Sequence, residues 1–332
     1  MNFYASRDYL DAAAAVYFRG RDAAVDDVKI GDDVLRLLVV DNRRIVTKLQ
    51  FLDFHQPLTE AETRGPMRRG RYARHVVRGV IRPSEWNPAA FHQFGLAPYI
   101  DWSEFRGFDD YRDQLLQRHK GFVRDRERRW RSLSAAHGEP VFTMNDAGDD
   151  VLARARQWKS RQLRETGVAD YFALPKTMEF LETLRERKLL VSSTLRAAGR
   201  LISVWIGFVH EGAWSGWIFT YDPDFRRYSV GHQLLNCILE ESCRLGHREF
   251  DFSEGGEDYK MLYATHGRVL GEIGRPPLSR SIRTFAKSTL RQRSPKLLQA
   301  VQGLKRTIDG SLARHSAAWR AVKAQLAPRV GS

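Results

Sequence analysis

The stretch from Trp217 to Lys260 constrains the fold more than any other part of the chain. It reads WIFTYDPDFRRYSVGHQLLNCILEESCRLGHREFDFSEGGEDYK. These residues predict a strand, a short basic loop, a helix, a second strand and a Gly-Gly turn into another helix. Trp214 to Tyr221 is aromatic and β-favouring. Asp222-Pro223-Asp224 ends that strand, because proline cannot continue a ladder. The helix starts near Ser229, a candidate N-cap. Val230, Leu234, Cys237, Ile238 and Leu245 then recur at helical spacing and give one buried face. Gly246 supplies the stop, and Arg248 to Ser253 alternates as a strand.

The chemistry lies at the helix start. Backbone N–H groups of Val230, Gly231 and His232 point out of the first turn, where the helix dipole adds partial positive charge. Arg226 and Arg227 add full charges just before it. Ser229 and Gly231 complete an anion site of pyrophosphate size, with Gly231 where a side chain would block close approach of the backbone.

The spacing Arg226-x-x-Ser229-x-Gly231 resembles the coenzyme A pyrophosphate loop of the GNAT acyltransferases. Their usual form is Arg/Gln-x-x-Gly-x-Gly/Ala, and Ser229 stands here for the first glycine. The wider resemblance is to the GNAT branch associated with cellulose and exopolysaccharide synthesis, near the Fem-type peptidyl transferases. Three blocks carry it: YDPDFRRYSVGHQLL, FDFSEGGEDYK and the earlier YIDWSEFRGFDDYRDQLLQRHKGFVRDRERRWRSL. The resemblance spans residues 95 to 275. It implies an α+β fold with a GNAT-like mixed, largely antiparallel sheet flanked by helices. It further implies two GNAT-like halves: a degenerate one over 1–105, a bridging helix over 106–137, and an acyl-CoA-binding domain over 138–275. No internal sequence repeat is visible.

The remaining chain fits this division. Asp8 to Phe18 reads as a helix. Val34 to Val40 and Arg44 to Phe51 read as strands joined at Asp41-Asn42, and Arg71 to Arg82 as another. FLDFHQPL sets Asp53 and His55 among aromatics, either as an acceptor-binding loop or as an ordinary strand end. Phe108 to His137 reads as one long, densely charged helix, a solvated bridge or a phosphate-facing surface. Helices follow at Asp149 to Thr166 and Leu174 to Arg187, with Tyr171 and Phe172 in the loop between them. A meander of Leu189 to Arg196, Leu201 to His210 and Ala213 to Tyr221 turns at Ala198-Gly199 and Glu211-Gly212.

Acyl transfer from a thioester needs two positioned substrates, a base and a donor for the leaving thiolate. Backbone N–H groups around Phe219 to Tyr221 suit the thioester carbonyl. The resemblance points to Tyr259, then Tyr263, as proton donor. Glu254 and Glu257 are candidate bases. Asp251 is a third candidate or a structural group, and Lys260 suits a phosphate or a carboxylate. Tyr171 and Phe172, with Asp53 and His55, are the candidate acceptor contacts.

The chain has 332 residues and a formal charge of +14. From Arg275 to Ser332 it carries 13 Lys+Arg and one acid, so +12 of that charge lies in this tail. Its apolar residues Leu297, Val301, Leu304 and Ile308 fall in helical register beside basic flanks, which suits an anionic membrane surface. No apolar run is long enough to span a bilayer. Cys237 and Cys243 suggest no disulfide framework, no His/Cys cluster has metal-ligand spacing, and no signal peptide is expected. The expectation is a cytoplasmic acyltransferase, peripheral on the inner membrane face, with acyl-CoA or acetyl-CoA as co-substrate and no resident cofactor. Its acceptor is an amine or hydroxyl on a cell-envelope, exopolysaccharide or lipid precursor, including a long-chain amino lipid as in bacterial ceramide synthesis. The alternatives are Fem-type transfer from charged tRNA and a non-enzymatic nucleic-acid-binding protein. The first lacks a long inserted helical hairpin here, and nucleic acid is the less favoured partner.

Overall fold

A computed structural model of the protein describes residues 2–63, 76–82 and 95–274. These fall within one unit, Met1–Arg275; the predicted tail, Pro276–Ser332, lies outside the described residues, as does the 71–75 part of the expected strand. The architecture is the expected mixed α+β: a large, mostly antiparallel sheet with helices on both faces.

The described helices are α1 (Arg7–Tyr17), α2 (Phe108–His137), α3 (Asp150–Glu165), α4 (Pro175–Glu186), α5 (Val230–Arg244) and α6 (Asp258–Tyr263). The strands are β1 (Ala23–Ile30), β2 (Asp33–Val40), β3 (Arg44–Val46), β4 (Val77–Arg82), β5 (Leu96–Asp101), β6 (Val141–Thr143), β7 (Val191–Ala197), β8 (Arg200–His210), β9 (Ala213–Tyr221), β10 (Glu249–Asp251) and β11 (His266–Ile273). β1, β2 and β3 form a small antiparallel sheet, and the rest form one sheet in the order β4-β11-β5-β10-β9-β8-β7-β6. Strands β4 and β5, from the first third of the chain, are thus built into the same sheet as the later meander.

The meander forms as read. Ala198-Gly199 and Glu211-Gly212 all have positive φ (48°, 76°, 45° and 75°), as a two-residue hairpin turn between twisted strands requires. β8 is apolar almost throughout because both of its faces are covered. Val204, Ile206 and Phe208 pack with α1, α3 and α4, while Ile202 and Trp205 pack with α2 and α5. On α5, Val230, Leu234, Leu235, Ile238 and Leu239 are buried. Each such side chain contributes about 1.5–3 kcal/mol of transfer free energy, so this face fixes the helix against the sheet.

Three strands escaped the sequence reading: β1, β5 and β11. β1 carries Asp26 and Asp27 in mid-strand, which lowers its apparent β-propensity. The strand expected over Arg44 to Phe51 ends at Val46, and Phe51 instead takes a left-handed conformation (φ 62°).

The expected long helix is broken. Its backbone leaves the helical region at His119 (φ −136°, ψ 47°). Arg112 pairs with Glu127 across that point. In a straight helix the two would stand about 22 Å apart, beyond reach of their side chains. The two arms therefore fold towards each other, and Tyr111, Leu115, Val123 and Leu133 are buried. These four side chains pack, while most of the element stays exposed or half-buried.

Candidate active site

The site begins where two parallel strands part. β10 pairs with β9 over only three positions, Glu249↔Ala213, Phe250↔Trp214 and Asp251↔Ser215. β9 then runs on to Tyr221 with only β8 beside it. The chain after β10 turns away at Ser253, which holds a left-handed φ of 62°. A V-shaped gap opens between the free edge of β9 and the Ser253–Gly256 turn. At the same place β9 carries an extra residue: β8 partners step from Ile218 to Gly216, leaving Trp217 as a bulge. Bulges beside a site re-aim side chains and free backbone groups.

A cleft of about 200 Å³ fills this gap. Its walls include Phe51 and Asp53 from the loop after β3, Lys159 from α3 and Tyr171 from the α3–α4 loop. Trp205, Gly216, Trp217 and Phe219 line it from the sheet, and Ser253, Glu254, Glu257, Tyr259 and Lys260 from the turn and α6. Gly216 is needed here, since a Cβ would meet the Trp205 indole Nε1 at 2.1 Å. Lys159 reaches the free β9 edge and donates to the Phe219 carbonyl at 3.2 Å.

Asp53 is the carboxylate deepest in this wall. Tyr4 Oη donates to it at 3.0 Å, and Ser253 lines the same wall. Trp217 Nε1 in turn donates to Tyr4 Oη at 2.9 Å, so strand, loop and N-terminus are tied together. Burial raises the Asp53 carboxyl above the ordinary carboxylate range; Ser253, Tyr4 and Lys260 oppose that rise, and Glu254 adds to it. A carboxylate made more basic by burial at the wall of a cleft is a candidate general base. The sequence reading had Asp53 as an acceptor contact only, and bases were sought among Glu254, Glu257 and Asp251.

Those three acids stand differently. Glu254 and Glu257 are exposed at the mouth of the cleft. Burial raises Glu254 as well, with Lys260 and Lys48 opposing. Asp251 lies behind the wall. It accepts from the Ser253 N–H at 2.7 Å and faces Arg268 at 3.6 Å, in a separate cavity of about 340 Å³. Burial pushes its carboxyl up to about 6, against the pull of Arg268.

The two tyrosines also part company. Tyr259 lines the cleft, and burial raises its hydroxyl, so it stays protonated. Tyr263 is fully buried, donates to Asn236 Oδ1 at 2.9 Å, and belongs to the core with Phe122 and His232. Lys260 is buried and clamped to the Glu254 carbonyl (2.9 Å) and Glu257 (3.0 Å), which stiffens the turn rather than leaving a free cation. Gly255 makes room for it: a Cβ there would meet Glu257 Oε2 at 2.3 Å.

Of the expected acceptor contacts, Asp53 and Tyr171 line the cleft. Phe172 is buried in the core beneath Tyr171, its N–H bonded to Asp170. His55 faces elsewhere. Its ring meets the Thr47 carbonyl at 3.0 Å, its backbone pins the loop to β4, and burial lowers its pKa.

At the far end of β9 stands the basic loop. Arg226 and Arg227 are exposed, with Arg227 over the Tyr228 ring at 4.6 Å. Ser229 departs from the expected N-cap role: its side chain caps nothing, and its backbone is left-handed (φ 54°, ψ 43°). That conformation explains why glycine is the usual residue at this point of the motif. Val230, Gly231 and His232 open α5, and their N–H groups have no intrahelical acceptor. Gly231 also serves packing: a Cβ would meet the Phe219 ring at 2.8 Å. His232 is turned inward against Phe122 and Tyr263, and burial together with Arg126 pushes it down to about 4, so its ring is neutral. The arginine-rich arm of α2 braces the loop. Arg129 donates to the Arg227 carbonyl, and Gln233 donates to the Arg126 carbonyl at 2.8 Å. Arg128, Arg129 and Arg126 surround Asp125 and, against the opposing effect of its partial desolvation, hold it down to about 2.

Among the described residues no group of three or more His, Cys, Asp or Glu is placed to hold a metal, and no helix is long and apolar enough to cross a membrane.

The model of the acetyltransferase (GNAT) domain matches residues 120–261, which run from the second arm of α2 through the V, the loop and α6. That match covers less than half of the chain and supports a transferase. No curated protein matches the chain. Among solved structures, it is similar to the C-terminal domain of a putative lysylphosphatidylglycerol synthetase from Agrobacterium fabrum, at 12% identity and a TM-score of 0.45, covering 85% of this chain and 96% of that one. It is also similar to FemX, at 9% identity and a TM-score of 0.49, covering 82% and 91%. A tandem GNAT protein from the clavulanic acid biosynthesis pathway matches at 13% identity and a TM-score of 0.36, covering 81% and 95%. Likenesses this distant say nothing about substrate.

Proposed function

We propose that this chain transfers the acyl group of an acyl-CoA to a nucleophile on a cell-envelope, exopolysaccharide or lipid precursor. One observation carries the reading: the free, bulged edge of β9 runs from Asp53 and Tyr259 at the V to the basic loop and helix start at its other end. That edge suits an extended thioester whose pyrophosphate rests on Val230, Gly231 and His232, with Arg226 and Arg227 beside it. The acceptor approaches from Tyr171 and Phe51. Asp53 removes its proton, β9 backbone groups polarise the thioester carbonyl, and Tyr259 protonates the leaving sulfur.

Calorimetry with acetyl-CoA and long-chain acyl-CoAs, followed by thiol release in the presence of candidate acceptors, tests this. Binding of at least one acyl-CoA and acceptor-dependent thiol release are expected; a protein that binds none is not an acyl-CoA transferase. Mass spectrometry of copurifying small molecules would identify the acceptor class directly.

The tail belongs to the same proposal. Its charge of +12 and its apolar register suit reversible attachment to an anionic bilayer, at about 1 kcal/mol per engaged Lys or Arg. The full-length protein is expected to sediment with anionic liposomes and a version ending at Arg275 to stay in solution. Equal partitioning would refute the attachment.

A further inference from the structure

The cavity behind the wall is floored by one face of the sheet. Ala213 pairs with Glu249 and Ser215 with Asp251 across β9 and β10, and Arg268 reaches in from β11 over the Tyr99 ring at 3.9 Å. Asn2, Phe3 and Tyr4 close it from the N-terminal segment, and Phe54 and Gln56 from the loop after β3. Ala213 and Ser215 are small, which leaves the space open. Its volume of about 340 Å³ falls at the lower end of the about 300–1,000 Å³ that small-molecule sites span, enough for a single ring.

The charged lining residues are Arg248, Arg268, Glu249 and Asp251, which sum to zero when all are ionised. Much of their bonding capacity is engaged internally. Arg268 Nη2 donates to Glu249 at 2.6 Å, and Arg248 stands 3.7 Å from the same carboxylate. Asp251 Oδ1 accepts the Ser253 N–H at 2.7 Å, and Asn2 Oδ1 accepts the Ala5 N–H at 3.1 Å. Their other ends remain without a bond. Arg268 Nη1 and Asn2 Nδ2 are buried donors with no hydrogen-bond partner. Asp251 Oδ2 faces Arg268 Nη1 at 3.6 Å, too far for a hydrogen bond. A buried donor left unpaired costs about 1–3 kcal/mol, so the cavity is built to meet polar atoms it does not itself supply.

We propose that the rear cavity binds a neutral polyhydroxylated ring of monosaccharide size, with one hydroxyl seated between Arg268 and Asp251. The site is separate from the cleft and does not depend on the acyl-transfer reading.

The free groups select against ions. A carboxylate or phosphate is held best by two nitrogens of one guanidinium, and Glu249 already engages one nitrogen of Arg268. Such a ligand would also approach two acids. A cation would lie against Arg248 and Arg268. A hydroxyl both donates and accepts, so it can accept from Nη1 and donate to Oδ2 at once. Atoms 3.6 Å apart can share one hydroxyl lying about 2.8 Å from each. A further oxygen of the ring accepts from Asn2. The wall of Phe3, Tyr4 and Phe54 covers the apolar C–H face of the ring, and no ionised group of the ligand has to be desolvated.

The test uses the full-length protein without acyl-CoA. Saturation-transfer NMR and calorimetry are run with D-glucose, D-galactose, N-acetyl-D-glucosamine and myo-inositol. D-glucuronate, D-glucosamine and L-phenylalanine serve as the anionic, cationic and zwitterionic comparators. At least one neutral ring should bind, and more tightly than every comparator. Asp251→Asn should raise its Kd about tenfold or more: the Ser253 N–H holds the amide oxygen, so the amide nitrogen replaces Oδ2 and sets donor against donor at Arg268. Ala213→Leu fills the floor and should abolish binding, with urea unfolding as the check on its fold. No binding by any neutral ring would overturn the site, as would wild-type affinity in Asp251→Asn. Tighter binding of glucuronate, glucosamine or phenylalanine would overturn the hydroxyl assignment. Failure to bind acyl-CoA bears on the proposed transfer alone and leaves this site standing.

Discussion

Asp251→Asn should make the protein gain stability relative to the wild type as pH rises. The Asp251 carboxyl titrates near 3.8 as a free side chain and about 6 in the fold, where burial outweighs Arg268. Below both values the two states are equally protonated and the site contributes nothing. Between them the unfolded chain has released its proton while the native protein still holds one, so folding takes up a proton and rising pH opposes it. Above both values the loss is complete. A gap of about 2 units at 1.36 kcal/mol each corresponds to about 3 kcal/mol lost between pH 4 and pH 7. The amide does not titrate and escapes this loss. Arg268 is not orphaned in the variant, since it keeps Glu249 at 2.6 Å. Asp53 shifts in the same direction and repels Asp251, so removing one charge eases the other and adds to the effect. Urea unfolding of both proteins, followed by tryptophan fluorescence at half-unit steps from pH 4 to 7.5, isolates the site in the difference curve. A difference independent of pH would refute the burial argument for Asp251.

Other consequences follow from the same geometry. Gly231→Val forces a side chain into the Phe219 ring, at 2.8 Å already for its Cβ, and should weaken acyl-CoA binding by about tenfold or more; unchanged affinity in calorimetry would remove the helix start from the donor site. Gly216→Ala overpacks the buried Trp205 indole and should cost about 1–3 kcal/mol in urea unfolding, and an unaffected midpoint would mean that the indole moves freely. Tyr259→Phe should lower turnover with little change in acyl-CoA affinity, because a proton for the leaving sulfur is needed only in the transition state; wild-type turnover would hand that role to water.

The sequence shows what is local and hides what is assembled. The strand–loop–helix core from Trp214 to Arg244 was readable because its apolar period, its proline and its glycines act within a few residues of one another. The turns at Ala198-Gly199 and Glu211-Gly212 were readable for the same reason. Lys159 gave no signal, being one cation in a charged helix, and it acquires meaning only by reaching the Phe219 carbonyl. Tyr4 and Trp217 are separated by 213 positions, and nothing local predicts their bond. The break at His119 was passed over although Gly121 lies two residues on, because a single glycine is tolerated inside a helix and the charge pattern on either side continues unchanged.

Asp53 illustrates how a residue's chemistry is set by what the fold brings to it. In sequence it is one acid between two aromatics, with a local context that suits a strand end equally well. Strand β9 parts from β10 after three pairs, and the space this opens is closed by the loop after β3. Closing it brings the Tyr4 hydroxyl onto Asp53 and sets Ser253 and Lys260 in the same wall. Full neutralisation by a close cation would have made it a structural ion pair with a low pKa; full isolation would have left it protonated and inert. Lys260 is kept from it by its own bonds to the Glu254 carbonyl and Glu257. The carboxylate is left with the Tyr4 hydroxyl and a cation engaged elsewhere. That balance raises its affinity for a proton without fixing the proton in place, which is what the proposed role as base requires.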